Sequence, residues 1–117
     1  MPETKELVIN TGPLLGLIAG IGDLSLLEQI YKRVLVPFEV CQEAGGASGF
    51  GVSEFRRSSF IERRSNFLNI APFLRNALDL GEASVIQLAL DENIHTVCID
   101  ESVGRRIARL NGLKLTG

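Results

Sequence analysis

The closing stretch from Leu80 to Gly117 constrains the fold most, because its pattern switches repeatedly between helical and strand character. In LGEASVIQLALDEN, Ala83, Ile86 and Leu90 share one helical face, joined by Val85 and Ala89, and Asn93 supplies the stop. HTVCIDES carries a strand over Thr96 to Ile99, whose β-branched and small apolar residues suit burial on both sides. VGRRIARLNGLKLTG then reads as a helix capped by Ser102, with Val103, Ile107 and Leu110 as a core-facing stripe. Asn111-Gly112 ends that helix, and Leu113 to Leu115 forms a further strand. Glu82 falls in the first turn of the first helix, and Asp100 and Glu101 stand where the strand runs out. In parallel α/β sheets, ligands bind at those strand ends.

The first half repeats the alternation. Leu7 to Ile9 is an apolar run ending at Asn10, after which Thr11-Gly12-Pro13 opens a helix faced by Leu14, Leu15 and Ile18. Gly20 and Gly22 interrupt it, and Asp23 or Ser25 caps a second helix carrying Leu26, Leu27 and Ile30. Val34 to Val36 is the next strand, and Pro37 opens a helix through Phe38, Val40 and Cys41, with Glu43 about two turns in. Glycine-rich Ala44 to Ser53 reads as a surface loop; it lacks the flanking strand and the GK[ST] ending of a phosphate loop. Glu54 to Ser65 is expected to be helical with charge outward, and Phe67 to Ile70 to be a short edge strand. Strands alternating with helices imply a parallel sheet with right-handed crossovers.

A chain of 117 residues is long enough for one domain, 1–117, and too short for two ordinary ones. No apolar run approaches the roughly 20 residues that span a bilayer, and MPETKELVIN lacks the basic and apolar regions of a secretory signal, so a cytoplasmic location is expected. Cys41 and Cys98 have no metal-type spacing and read as buried reduced thiols. A net charge of −2 argues against a surface that is one large nucleic-acid footprint. Positive charge is nevertheless clustered at Arg56 and Arg57, Arg63 and Arg64, and Arg105, Arg106 and Arg109. These clusters either solvate helix faces or contact phosphates and acidic partner segments.

Asn10, Glu43, Glu82, Asp100 and Glu101 all fall at one sheet edge in this scheme. Each acid alone has a plain structural reading, since carboxylates are favoured at helix starts. Together, with no histidine or cysteine partner, they suit hard Mg²⁺ or Mn²⁺ better than zinc, and phosphodiester cleavage is the obvious use. His95, the only histidine, precedes a strand at the opposite sheet end and reads as a loop residue, so a Ser/His/Asp triad has no support.

VINTGPLLGL, VLVPFEVCQEA, LGEASVIQLAL and VCIDESVGRRIARLNGLKLTG together resemble the PIN domain nucleases, and within them a VapC-like toxin subfamily of small prokaryotic proteins. The resemblance implies a three-layer α/β/α fold with a central parallel sheet of order 3-2-1-4-5. It also implies divalent metal held by acids, and endoribonuclease activity of a toxin restrained by its antitoxin. Position by position, the first acid maps to Asn10, the second to Glu43, the third to Glu82 and the fourth to the Asp100/Glu101 pair. The general nuclease pattern favours Glu101; Asp100 is the shorter acid and nearer the strand. Thr11, Arg105 and Arg106 are the expected substrate contacts, and RNA, an antitoxin and a second copy of the chain the expected partners.

Two departures stand out. Asn10-Thr11-Gly12 replaces the usual Asp-x-Ser, and relatives continue past the closing Thr-Gly, so the C-terminal part is expected to be shortened. Losing a charge at Asn10 weakens the hold on a dication. The reading is therefore a metal-dependent ribonuclease; the alternative is a non-catalytic interaction protein on the same fold. A small ligand-binding module would instead show a pocket without clustered acids.

Overall fold

A computed structural model describes residues 5–10, 12, 25–46 and 58–116. Its elements in chain order are β1 (Glu6–Ile9), α1 (Ser25–Ile30), β2 (Arg33–Val36), α2 (Phe38–Gly46), β3 (Ile61–Arg63), α3 (Pro72–Ala77), α4 (Leu80–Asp91), β4 (Thr96–Cys98), α5 (Ser102–Leu110) and β5 (Lys114–Leu115). The five strands form one all-parallel sheet of order β3-β2-β1-β4-β5, flanked by helices in the α/β/α arrangement. The expected strand order is therefore the observed one.

Consecutive burial of Leu7, Val8 and Ile9 in β1 and of Val34, Leu35 and Val36 in β2 shows that both sheet faces are covered, since neighbouring strand residues point to opposite faces. Each such side chain contributes about 1.5–3 kcal/mol of burial. Helix α4 is the central helix, packing against β1, β4, α2, α3 and α5. Gly81 to Ile86, Leu88 and Ala89 are all buried, while Leu90 at its end is 38% exposed. Its burial is thus nearly all-round, wider than the single face read from the pattern.

Four sequence expectations need correction. Residues 61–63 are not helical: Ile61 pairs with Val34 and Arg63 with Val36. Of the charges read as an outer helix face, Glu62 is a sheet partner instead, accepting from Arg33 at 2.8 and 3.0 Å while Arg33 also donates to Glu6 at 2.7 Å; residues 54–57 lie outside the described residues. Phe67 to Ile70 is irregular rather than a strand, and α3 follows it, entered through Pro72. Of the stripe expected in α5, only Ile107 packs against the core. Val103 is 55% and Leu110 77% exposed, whereas Gly104 and Ala108 are buried. The residue at the α5 N-cap is Glu101, not Ser102.

The expected loop over 44–53 begins later, because α2 runs to Gly46; residues 47–53 and the helix expected after Pro13 lie outside the described residues. Cys41 and Cys98 are free, and burial raises both thiol pKa values. Among the described residues, no helix is long and apolar enough to cross a membrane.

Candidate metal centre

Two helix starts build the site. At the first, Asp79 adopts an extended backbone (φ −66°, ψ 166°) as the N-cap of α4, and its Oδ1 accepts the Glu82 N–H at 2.9 Å. Asp-x-x-Glu is the spacing of a capping pair, so Asp79 and Glu82 are brought to one turn by local geometry alone. At the second, the chain leaves β4 through Ile99 and Asp100 and enters α5 with Glu101 at its N-cap, where the side chain makes no capping bond. That leaves the Glu101 carboxylate available to face α4. One oxygen from each of Asp79, Glu82 and Glu101 lies within 4.8 Å of the other two.

The three acids differ in exposure. Asp79 and Glu101 are exposed, while Glu82 is 2% exposed and its Oε2 is buried with no hydrogen-bond partner among the described residues. Burial raises the Glu82 pKa from 4.5 to about 8, helped by hydrogen bonding and charge from Asp79 and then from Glu101. Desolvation and like charge both disfavour the ionised form, and a positive charge among the oxygens would offset both effects. An all-oxygen donor set containing an orphaned buried oxygen fits a hard divalent cation.

Gly104 closes one wall of the site. A methyl group there would overlap Glu82 Oε2, and it would stand 3.2 Å from Glu82 Cδ and 3.1 Å from Ile99 Cγ2.

The residues expected from sequence divide by place. Glu82 and Glu101 come together, joined by Asp79. Asp100 is outside that trio: its Oδ2 lies 3.2 Å from where a Cβ on Gly12 would stand, beside the chain that leaves β1. Asn10 is half-buried at the end of β1, its N–H donating to the Cys98 carbonyl at 3.2 Å. Arg105 donates from Nη1 to the Ile99 carbonyl at 2.9 Å, which braces the β4–α5 link, and Arg106 is exposed. Glu43 falls within α2, but its side chain and Thr11 lie outside the described residues. His95 sits before β4 at the other sheet end, on an open cavity of about 700 Å³ also lined by Lys5, Tyr31 and Lys114.

Sequence reading missed two acids. Asp79 carried a usable signal, the capping spacing ahead of Glu82. Glu39 carried none: it is 3% exposed in the first turn of α2, and its Oε2 accepts the Leu68 N–H at 2.9 Å from 29 residues away.

No curated protein matches the chain. The family described as DUF3368: PIN domain matches residues 6–117. A parallel sheet of order 3-2-1-4-5, with acids gathered where α4 and α5 begin, agrees with this nuclease-type fold. Over nearly all of its length, therefore, the chain belongs to the PIN domain family.

Proposed function

We propose that this chain is a metal-dependent endoribonuclease, the VapC-like toxin of a toxin–antitoxin pair. The observation that carries the reading is the convergence of Asp79, Glu82 and Glu101 around a buried, unpartnered Glu82 oxygen in a PIN domain. Those three carboxylates would hold Mg²⁺ or Mn²⁺. The bound ion would neutralise the attacked phosphodiester and activate the incoming water.

The chain's own residues do the rest. Asp79 fixes the first turn of α4 and adds a carboxylate, so the charge of the site does not rest on position 10 alone. Glu101 brings its carboxylate in from the α5 side. Asn10 offers a neutral oxygen at the end of β1, with Asp100 nearby against Gly12. On α5, exposed Arg106 is free to meet an RNA phosphate, while Arg105 keeps Ile99 and thereby Asp100 and Glu101 in place. Restraint by an antitoxin, pairing with a second copy and action in the cytoplasm belong to the same proposal.

A second reading is favoured by one residue. Asn10 stands where the family pattern has an acid, so the fold could retain partner binding without cleavage. Native protein and Asn10→Asp, each incubated with RNA and either Mn²⁺ or chelator, separate the two. Cleavage by the native chain that chelator abolishes supports the nuclease. Cleavage by the variant alone supports the interaction protein as a decayed nuclease, and silence from both folded proteins defeats the catalytic reading.

A further inference from the structure

Gly104 lies in the first turn and a half of α5, in regular helix. Glycine is the poorest helix former after proline, so a glycine inside a helix calls for a reason. Backbone conformation is not that reason here, because the residue is helical and any side chain could adopt it. Space is the reason: the volume that a side chain at 104 would occupy is filled by the Glu82 carboxylate, with Ile99 as the other wall.

We propose that Gly104 is a positioning residue for the candidate metal centre, its missing side chain leaving the slot in which Glu82 Oε2 stands. Glu82 is buried on α4, and on the α5 side its carboxylate stands against the bare backbone at Gly104. Filling the slot turns the carboxylate away from the arrangement it shares with Asp79 and Glu101. Ala108, one turn further along the same buried edge, is likewise small, which lets α5 approach α4 closely; Val103 and Leu110 are left on the outer side. The geometry stands on its own; only its consequence for metal rests on the function proposed above.

Four proteins test it: native chain, Gly104→Ala, Glu82→Ala and the double variant. Each is measured for its thermal midpoint in chelator and for affinity toward Mn²⁺ alone. Gly104→Ala should lower the midpoint and weaken Mn²⁺ binding by about tenfold or more, the size seen when a residue that orients a ligand is lost. In the Glu82→Ala background the same change should leave the midpoint unchanged or raise it, because the clash is gone and alanine is the better helix former. Equal destabilisation in both backgrounds would assign the clash to Ile99 and overturn the proposal, as would a Gly104→Ala protein with native midpoint and native affinity. Should Gly104→Ala fail to fold, a folded double variant supports the proposal and an unfolded one defeats it. If the native chain itself takes up no Mn²⁺, the metal reading fails, and the thermal comparison alone still decides the role of Gly104.

Discussion

Glu39 and Glu82 occupy matching positions and have opposite surroundings. Each is a glutamate in the first turn of a helix, each is almost wholly buried at 3% and 2% exposure, and each has one oxygen without a partner among the described residues. The other Glu39 oxygen accepts the Leu68 N–H, tying the segment after β3 to α2. Glu82 instead faces two more carboxylates, Asp79 and Glu101. Burial and helix position are therefore not what distinguishes a candidate ligand. Convergence of like charge is: helix starts account for each acid singly, but a third carboxylate beside a buried, unpartnered oxygen adds repulsion that a bound cation would offset.

The strongest way to break that contrast is to neutralise each glutamate in turn. Glu82→Gln should abolish measurable Mn²⁺ binding and any RNA cleavage while leaving the chelated protein as stable as before or more so. Glu39→Ala should do the reverse, costing about 1–3 kcal/mol for the lost hydrogen bond from the Leu68 N–H to a charged group, with Mn²⁺ affinity intact. Calorimetric metal titration and thermal denaturation on both variants decide it. A Glu39 variant that loses metal would merge the two sites and end the distinction.

A second test uses pH. The Glu82 carboxyl titrates near 8 in the folded chain against 4.5 ordinarily, so the folded state binds its proton more tightly than the unfolded state. Its contribution to stability is complete below 4.5, declines as pH rises between the two values, and is gone above about 8. Glu62, whose pKa the Arg33 hydrogen bond lowers, acts in the opposite sense and loses its contribution as pH falls. Comparing chelated native protein with Glu82→Gln isolates the Glu82 part. The native midpoint should fall toward alkaline pH more steeply than that of the variant, and parallel curves would refute the assignment.

The sheet and the approach of Glu82 to the Asp100/Glu101 pair were legible because they follow from runs of apolar residues and from where strands end; which member of the pair faces Glu82 was not. β3 was not, because Ile61-Glu62-Arg63 is short and charged, and only Arg33 on the neighbouring strand shows Glu62 to be a strand partner. The α5 stripe misled for a related reason. Val103, Ile107 and Leu110 mark an apolar face, but close approach to α4 demands small residues, so Gly104 and Ala108 take the buried side. Asp79 could have been read from its capping spacing; Glu39 could not, since its partner lies far along the chain.

Asp79 permits a finer cut, because its two roles separate by substitution. Asp79→Asn keeps an equally good N-cap and removes one charge, so Mn²⁺ affinity should drop while thermal stability holds, and the Glu82 pKa should move back down. Asp79→Ala loses the cap as well, at a cost of about 1 kcal/mol. If the asparagine variant binds Mn²⁺ as the native chain does, Asp79 is a cap and nothing more, and the candidate centre shrinks to two carboxylates.

The smallest expected effect tests the Glu39 side by itself. Phe67, next to Leu68, is 66% exposed yet packs edge-on against Phe38 of α2, with ring centroids 4.7 Å apart and planes at 86°. Such a pair is worth about 0.5–1.5 kcal/mol beyond its burial. Phe67→Ala should cost stability on that scale, because the ring and the Glu39–Leu68 hydrogen bond hold the same segment to α2. Yet α2 also packs on α4, which carries Glu82, so the two sites share a helix contact. Unchanged Mn²⁺ affinity in Phe67→Ala would show that this contact transmits nothing and that the Glu39 region is purely structural. A drop in affinity out of proportion to the lost stability would mean that the segment after β3 helps to set α4, and the two buried glutamates would then have to be treated as one coupled system.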